Sequence, residues 1–286
     1  MKYREAYEAG RTVLAAAIQE AETDARLLLE FVCGTDRNTL LAHGDSEVTG
    51  EQESAYRELL KKRSRHIPLQ YLTGVQDFMG LEFAVNEHVL IPRQDTEILA
   101  EEALKNLHDG MQVLDLCTGS GCILISLLNY SNNCEGVGAD ISEEALRTAA
   151  LNAGRLLDGR ANITFVQSDL FENVRGMFDM IVSNPPYIKS EAIGTLMPEV
   201  RDYEPRQALD GGEDGLLFYR RILRESSRYL RKGGMLLFEI GYDQGEAVSG
   251  LMEQAGFLEV RVVRDYGGLD RVVCGTLAHG SEVLYV

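Results

Sequence analysis

From Met111 onward, short apolar runs alternate with helical segments, and this alternation constrains the fold more than any other feature of the sequence. The spacing predicts strands over 112–116, 136–140, 163–167, 178–183, 234–240, 258–264 and 271–276, with helices near 121–130, 143–156, 213–231 and 243–255. Such alternation indicates parallel βαβ units covered by helices on both faces. The link around Gly267 is too short for a helical crossover, so the last two strands are predicted to be antiparallel.

The first 66 residues show only helical periodicity, which predicts a small bundle. Gly34 is expected to stop one helix and Asp36 to start the next, with a further helix over 51–65. After Pro68 the pattern changes to short mixed runs flanked by Gly74 and Gly80, which predict a hairpin. A helix over 97–107 is expected to follow, capped by Asp95 or Thr96.

Composition narrows the classes of partner. The 286 residues carry a net charge of −17, which disfavours an extended nucleic-acid contact surface. The basic run over 57–65 could dock an anionic partner or form the solvated face of a helix. Five scattered cysteines without CxxC spacing suggest neither a disulfide framework nor a zinc site, and no apolar stretch is long enough for a membrane span or a signal peptide. A reduced, cytoplasmic protein is expected.

A loop of small residues follows the first strand of the alternating region. The stretch Val113-Leu114-Asp115-Leu116-Cys117-Thr118-Gly119-Ser120-Gly121 runs from an apolar strand through an acid into a glycine-containing loop before a helix. Glycine permits a tight turn and the close approach of a ligand to the helix N-terminus. The GxGxxG spacing of dinucleotide-binding loops is absent. The Asp115 carboxylate suits a ligand with an ammonium group, such as the methionine part of S-adenosylmethionine; a close-packed strand–helix turn is the alternative.

The next two strands also end in polar residues. Asp140 follows the second strand, where an acid can accept hydrogen bonds from both hydroxyls of a ribose. Capping of the following helix by Asp140 or Ser142 is the alternative. After the third strand, Asp169 could bind the amino group of an adenine while Leu170 covers its ring, or Asp169 could be a plain cap.

The fourth strand stops abruptly at Asn184-Pro185-Pro186-Tyr187. Neither proline has an N–H to continue strand pairing, so a simple strand-ending turn is one reading. The same sheet edge carries the three preceding motifs, so Asn184 is expected to face a methyl donor. The carbonyls of Asn184 and Pro185 offer two acceptors to one NH2 group, which would align an amide or arylamine nitrogen for transfer. The prolines stiffen the turn, and Tyr187 can pack on a planar group.

Several further stretches resemble the HemK/PrmC family, methyltransferases that modify the glutamine of class 1 peptide release factors. The stretches are PLQYLTG from Pro68, IPRQDTE from Ile91, Glu204-Pro205 with ALDGGEDGL from Ala208, and Phe238-Glu239-Ile240-Gly241. The turn at Asn184 alone is shared with many amino-methyltransferases. In combination with the IPRQDTE and ALDGGEDGL blocks it is specific to this family.

The resemblance implies an α/β fold of the class I S-adenosylmethionine-dependent type, Rossmann-like with a seven-stranded mixed sheet. It implies a helical release-factor-binding domain over 1–67, a β-hairpin linker over 68–92 and a methyltransferase domain over 93–286. The partners implied are class 1 release factors; no nucleic acid, membrane or metal is expected, and the protein is expected to be a monomer. The cofactor implied is S-adenosyl-L-methionine, which leaves as S-adenosyl-L-homocysteine.

Site residues are implied position by position. The catalytic residues are Asn184, Pro185 and Tyr187, and Pro186 joins them in binding the substrate amide. The cofactor is expected to contact Asp115, Cys117, Thr118, Gly119, Ser120, Gly121, Asp140, Asp169, Leu170 and Asn184.

Three positions are left open by the resemblance. Cys117 stands where many relatives have glycine, and its Cβ is expected to require a negative φ, so that the turn depends on Gly119 and Gly121. Gln94 replaces a common proline and is expected to loosen a loop. Arg93 could contact substrate or cofactor, or pair with a carboxylate.

Rival functions differ in class. An N6-adenine or rRNA amino-methyltransferase would use the same turn at Asn184 on a flipped base, but the acidic surface argues against it. The absence of GxGxxG argues against an NAD(P)-dependent oxidoreductase. A non-catalytic binding module is disfavoured by the intact Asn-Pro-Pro-Tyr stretch.

Overall fold

Residues 1–278 are described by the structure, a computed structural model, and they divide into two units. The N-terminal unit comprises Met1–Val75 together with the short segment Met197–Tyr203. The sheet unit comprises Gln76–Leu196 and the chain from Glu204 onward. The segment 197–203 is therefore part of a unit whose other residues lie far from it in sequence. The predicted domains were continuous ranges and did not include such a segment.

Helices form the N-terminal unit. They are α1 (Tyr3–Leu14), α2 (Ala21–Cys33), α3 (Arg37–Ala42), α4 (Gly50–Arg63), α5 (Leu69–Thr73) and, from later in the chain, α9 (Pro198–Tyr203). Gly34 ends α2 in the left-handed conformation, with φ of +60°, and the side chain of Asp36 accepts a hydrogen bond from Thr39 N at the start of α3. Both predicted helix signals are thus confirmed.

The basic run at the end of α4 is only partly a solvated face. Lys61 and Lys62 are exposed, but Arg63 is buried, and its guanidinium lies 2.6 Å from Asp24 and 3.0 Å from Glu199. A buried cation with two carboxylate partners holds its neighbours in a defined arrangement, because leaving any one of the charges unpaired would be costly. Arg63 therefore joins α2, α4 and α9 within this unit.

The sheet unit follows the predicted alternation. Its elements are β1 (Val75–Phe78), β2 (Leu81–Ala84), α6 (Gln94–Asn106), β3 (Gln112–Leu116), α7 (Cys122–Asn129), β4 (Glu135–Asp140), α8 (Glu143–Leu157), β5 (Asn162–Gln167), β6 (Phe178–Ser183), α10 (Leu217–Ser226), β7 (Leu230–Glu239), α11 (Gly245–Gln254), β8 (Phe257–Arg264) and β9 (Asp270–Leu277). Short 3-10 helices lie at Ser190–Thr195 and Arg206–Ala208.

Within the described residues, seven of these strands form one mixed sheet in the order β5-β4-β3-β6-β7-β9-β8. Strands β3 to β7 run parallel to one another, and the last two strands, β8 and β9, pair antiparallel as predicted. Strand β9 is also antiparallel to β7, which the sequence did not predict. The chain leaves β3 toward β4 and β5 and then returns to the other side of β3 with β6. This reversal of strand order is where open α/β sheets bind ligands, beyond the carboxyl ends of the strands.

Apolar side chains fill both faces of the sheet. Val113 and Val182 pack with α6, α7, α8 and the β1–β2 hairpin on one face. Leu114 and Ile181 pack with α10 and α11 on the other. Because both faces are covered, the central strands are nearly continuous apolar runs, and the polar residues that interrupt them fall at the strand ends.

Several predicted boundaries shift. The hairpin turns at Met79-Gly80, both with positive φ, whereas Gly74 instead ends α5. The helix predicted over 97–107 begins at Gln94, so Gln94 opens a helix and does not loosen a loop, and neither Asp95 nor Thr96 is its cap. The helix predicted over 213–231 is shorter, because Gly215 adopts a φ of +76° and β7 already starts at Leu230.

Candidate active site

A cavity of about 270 Å³ opens at the carboxyl ends of β3, β4, β5 and β6. Strand pairing aligns these ends, because Leu116 lies opposite both Ala139 and Ser183. The predicted site residues that line the cavity are Cys117, Thr118, Gly119, Ser120, Asp140, Asp169, Leu170, Asn184 and Pro186. The predicted residues that do not line it are Asp115, Gly121, Pro185 and Tyr187.

The loop after β3 has three left-handed residues at alternate positions. Gly119 and Gly121 have φ of +56° and +80°, as the turn requires. Cys117 has φ of +61°, so the prediction of a negative φ at this cysteine is wrong. A left-handed non-glycine residue costs about 1–2 kcal/mol, so the loop holds Cys117 in a strained conformation.

Asp115 lies behind this loop and has no exposed surface. Its Oδ2 accepts a 2.6 Å hydrogen bond from the Thr118 hydroxyl, whereas Oδ1 has no partner among the described residues. Burial raises the pKa of Asp115 to about 7, and the nearby charge of Asp140 adds to the effect. A buried carboxylate oxygen without a donor is costly unless a cationic or hydrogen-bonding group completes it.

Asp140 ends β4 and faces the cavity. Its Oδ2 accepts from Gly119 N and its Oδ1 from Ser142 N, each at 2.9 Å. Burial raises the pKa of Asp140, and the backbone N–H groups that it accepts from oppose this rise. Ser142, not Asp140, caps α8, because its hydroxyl accepts from Ala145 N. The capping alternative for Asp140 is therefore wrong, and its carboxylate keeps lone pairs for a ligand.

The segment after β5 presents both an ion pair and a strained backbone. Asp169 pairs with Arg221 on α10 at 2.8 Å, and both residues line the cavity. Leu170 is buried and has φ of +54°. The Ser168 hydroxyl donates to Leu170 O at 2.7 Å and accepts from Asn173 N, which holds the unusual turn. Asp169 is thus not a plain helix cap, and the carboxylate of Asp169 borders the cavity together with a fixed apolar side chain.

The Asn-Pro-Pro-Tyr turn is packed tightly from behind. The Ser183 hydroxyl at the end of β6 donates to Leu116 O at 2.7 Å. A Cβ on Gly211 would lie 2.6 Å from Tyr187 Cα, and one on Gly215 would lie 2.4 Å from Tyr187 O. Only glycine fits such approaches, so the GGEDG stretch supplies the backbone against which the turn rests. Gln244 Nε2 adds hydrogen bonds to the carbonyls of Tyr187 and Gly215.

Around Asn184 lie two polar residues, Thr96 and Glu239, to which the sequence pattern assigned no role in the site. The Nδ2 group of Asn184 lies 3.4 Å from the hydroxyl of Thr96 on α6. The phenol of Tyr187 lies 3.3 Å from Oε1 of Glu239 at the end of β7, so Tyr187 points into the protein and not into the cavity. Thr96 and Glu239 stand inside the IPRQDTE and FEIG stretches, and this was their only signal of a functional role in the sequence.

Of the roles left open for Arg93, the structure shows pairing with a carboxylate. It pairs with Glu204, whose other oxygen lies 3.4 Å from Ile91 N. Burial raises the pKa of Glu204, and the Arg93 charge opposes this. The pair joins the IPR stretch to the Glu204-Pro205 stretch, and Pro205 and Pro92 both line the cavity.

No helix within residues 1–278 is long and apolar enough to cross a membrane. These residues also contain no cluster of three or more His, Cys, Asp or Glu side chains that could hold a metal ion.

Comparison with known proteins decides the family. The chain is 42% identical over 261 residues to the release factor glutamine methyltransferase of Geobacter sulfurreducens, covering 91% of each chain. This chain belongs to the release factor glutamine methyltransferase family. The enzyme of the same name from Clostridium acetobutylicum is 41% identical, covering 87% of this chain and 89% of its own.

Two family models match successive parts of this chain. The PrmC N-terminal domain matches residues 5–74, and the methyltransferase small domain matches residues 94–199. A methyltransferase structure from Pyrococcus furiosus superposes with a TM-score of 0.52 at 19% identity, covering 70% of this chain and 91% of that one. This likeness concerns the fold, and the predicted seven-stranded methyltransferase architecture is confirmed.

Proposed function

We propose that this protein transfers a methyl group from S-adenosylmethionine to the side-chain amide nitrogen of the glutamine in the Gly-Gly-Gln loop of class 1 peptide release factors. The observation that carries the proposal is the position of Asn184. It directly follows β6, the strand next to β3, and lines the same cavity as the glycine loop, Asp140 and Leu170. Membership of the release factor glutamine methyltransferase family supports the same substrate.

The residues around the cavity suit each part of S-adenosylmethionine. The unpartnered Oδ1 of Asp115 and the loop from Cys117 to Gly121 suit the ammonium and carboxylate of the methionine part. Asp140 offers acceptors for ribose hydroxyls, and Leu170 offers an apolar surface for adenine. Because Asp115 lies behind the loop, we propose that it acts on the ammonium group mainly by charge and through the loop backbone.

The turn at Asn184 supplies the substrate side of the reaction. When bound, S-adenosylmethionine supplies a methyl carbon on a positively charged sulfur, which keeps the electrons of the C–S bond when the methyl leaves. Asn184 Oδ1, which borders the cavity, would accept one hydrogen bond from the glutamine NH2. Pro185 does not line the cavity, so we propose that its carbonyl accepts the second hydrogen bond only once the substrate enters the turn. Two acceptors restrict the nitrogen to one orientation and stabilise the positive charge that develops on it. The N–H becomes acidic only as the new bond forms, so no strong base is needed beforehand.

The remaining assignments are part of the same proposal. We propose that the helical region over 1–67 contacts the release factor, that 68–92 links it, and that 93–286 carries the chemistry. The match of residues 5–74 to the PrmC N-terminal domain supports the first of these. The cytoplasm, where translation ends, is the compartment that we propose, and we expect a monomer.

Mass spectrometry tests the proposal directly. A purified class 1 release factor is incubated with the protein and S-adenosylmethionine, and the glutamine of its Gly-Gly-Gln loop is expected to gain a single methyl group. A release factor in which this glutamine is replaced by alanine is the control. An unmodified glutamine would refute the proposal, and salt-sensitive binding to duplex DNA or RNA together with methylated adenine would favour the nucleic-acid rival.

A further inference from the structure

Behind the Asn184 turn, Glu239 carries a carboxylate that the proposed chemistry does not use. Glu239 ends β7, the strand next to β6, and its side chain is 1% exposed. Its Oε1 accepts from the Tyr187 phenol, and its Oε2 has no hydrogen-bond partner among the described residues. A fully buried carboxylate with a free oxygen is expensive, so a role for it is to be sought in what surrounds it.

Thr96 stands between this carboxylate and the cavity. Its hydroxyl is buried, lines the cavity, and accepts a hydrogen bond from Asn184 Nδ2 at 3.4 Å. A hydroxyl that accepts still has one proton to donate, and a buried hydroxyl needs an acceptor for it. Glu239 is the carboxylate close enough for the Thr96 hydroxyl to lower its pKa, and its partnerless Oε2 is the acceptor toward which that hydroxyl can turn.

We propose that Glu239 is a positioning residue that fixes the orientation of the Asn184 amide through the Thr96 hydroxyl. An ionised carboxylate only accepts hydrogen bonds, so the Thr96 hydroxyl donates a hydrogen bond to Glu239 and leaves its oxygen lone pairs free. Those lone pairs accept only from the NH2 end of Asn184. The Oδ1 end then faces the cavity, where it can accept from a substrate NH2.

The orientation matters because the two ends of an amide have nearly the same shape. Packing alone does not distinguish oxygen from nitrogen, whereas a chain of hydrogen bonds does. Rotated by 180°, Asn184 would present its own NH2 to the substrate NH2, and two donors repel. This inference rests on the proposed function, because the gain from an oxygen facing the cavity depends on an NH2-bearing substrate.

Glu239 also fixes the second polar group of the turn. The Tyr187 phenol donates to Oε1, so one carboxylate orients both the first and the last residue of Asn-Pro-Pro-Tyr. Arg271 lies near enough for its charge to favour ionised Glu239, and it is held in turn by Asp95 at 3.1 Å and Asp265 at 3.0 Å. Glu239 does not line the cavity, so it acts through Thr96 and Tyr187 and not on the reacting atoms.

Paired substitutions test the relay. Thr96→Val keeps the shape of the side chain but removes the hydroxyl. Glu239→Gln introduces an NH2 group that can itself donate to the Thr96 oxygen and so competes with the Asn184 NH2. Both are expected to lower kcat by about 10–100-fold, with the KM for the release factor and the affinity for S-adenosylmethionine changed less than about threefold. Thr96→Ser, which keeps the hydroxyl, is expected to restore most of the turnover lost in Thr96→Val. Thr164→Val, at an exposed position of β5, is the matched control.

A second readout does not depend on turnover. The side-chain NH2 signals of Asn184, assigned by their absence from Asn184→Ala, are expected to shift in the 1H–15N spectra of Thr96→Val and Glu239→Gln but not of Thr96→Ser. Unchanged Asn184 signals and full turnover in Thr96→Val would overturn the relay. If the wild type fails to methylate the release factor, the proposed function fails, and the spectra still decide whether Thr96 and Glu239 orient Asn184.

Discussion

Gly119 N donates a 2.9 Å hydrogen bond to Oδ2 of Asp140, which ties the glycine loop after β3 to the end of β4. Oδ1 of the same carboxylate accepts from Ser142 N, so Asp140 is held from both sides before any ligand binds. The arrangement preorganises the wall of the cavity and leaves the carboxylate able to accept further hydrogen bonds.

Substitution of Asp140 by asparagine is expected to weaken S-adenosylmethionine binding by about 10–100-fold, because charge-assisted hydrogen bonds are each worth about 1.5–3 kcal/mol. Isothermal titration calorimetry with S-adenosylhomocysteine measures the affinity. Glu143→Gln, which removes an exposed charge at the start of α8, is the control and is expected to bind normally. Equal affinity in both variants would show that Asp140 does not hold the ribose.

Asn184→Ala tests the substrate side of the cavity. Removing one preorganised polar contact is expected to lower turnover by about 10²–10³-fold while the affinity for S-adenosylmethionine stays nearly constant. Single-turnover methylation of the release factor and calorimetry give the two quantities. A loss of cofactor affinity larger than the loss of turnover would assign Asn184 to the methyl donor instead.

The buried carboxyl group of Asp115 is expected to make the stability of the protein depend on pH. Burial raises its pKa to about 7, compared with about 3.9 for a free aspartate. The folded state therefore favours the protonated form, and this contribution is fully present below about pH 4 and is lost as the pH rises through 7. Asp115→Asn removes the ionisation, so its unfolding free energy relative to wild type is expected to rise by about 2–4 kcal/mol between pH 4 and 8.

Urea denaturation of the ligand-free protein across this pH range measures the difference. Asp109→Asn, at an exposed position, controls for the loss of one negative charge. A constant difference between Asp115→Asn and wild type would mean that Asp115 is ionised throughout, with an unseen partner for its Oδ1.

Because Cys117 is left-handed, a smaller and a larger residue at this position are expected to change stability in opposite directions. Cys117→Gly relieves a strain of about 1–2 kcal/mol at the cost of about 0.5–1 kcal/mol in chain entropy, so stability is expected to stay constant or rise. Cys117→Val places a β-branched residue at a φ of +61° and is expected to destabilise the protein by about 1–3 kcal/mol. Thermal unfolding distinguishes the two. Destabilisation by glycine would show that the thiol's packing outweighs the strain.

Protonation of Glu239 is expected to lower turnover at acidic pH. Burial raises its pKa to about 7, opposed by the Thr96 hydroxyl, Arg271 and Tyr187. Below this pH the protonated carboxyl gains a donor of its own and no longer forces Thr96 to donate, so kcat is expected to fall with decreasing pH. The other titratable or charged side chains near Glu239 are Asp95, Cys122 and Tyr219.

In Glu239→Gln the carboxyl is replaced by an amide that does not titrate. Its kcat is expected to be low and independent of pH between about 5.5 and 8, measured under saturating release factor and S-adenosylmethionine. The same acidic limb in wild type and variant would assign that limb to another group and contradict a role for Glu239 in the pH profile.

Local pattern was enough to predict most of the sheet unit. All seven strands of the large sheet and the antiparallel last pair are confirmed, because strands covered on both faces must be apolar along their length and polar at their ends. The residues at those ends, Asp140, Asp169 and Asn184, could be singled out for the same reason. Errors fell on the helix before β3 and on the helix before β7, where neighbouring turns and strands set the boundaries.

The sequence by itself therefore determined which residues stand at the strand ends, since periodicity and proline or glycine stops are properties of neighbouring residues. Only the tertiary structure decided which strands lie side by side, and hence that Asn184 meets Thr96 from a helix 88 positions earlier and that Tyr187 turns inward to Glu239. It also decided that Cys117 is left-handed and that Asp115 lies behind its loop. Contacts of this kind depend on strand register and on packing between distant segments, which no local pattern records.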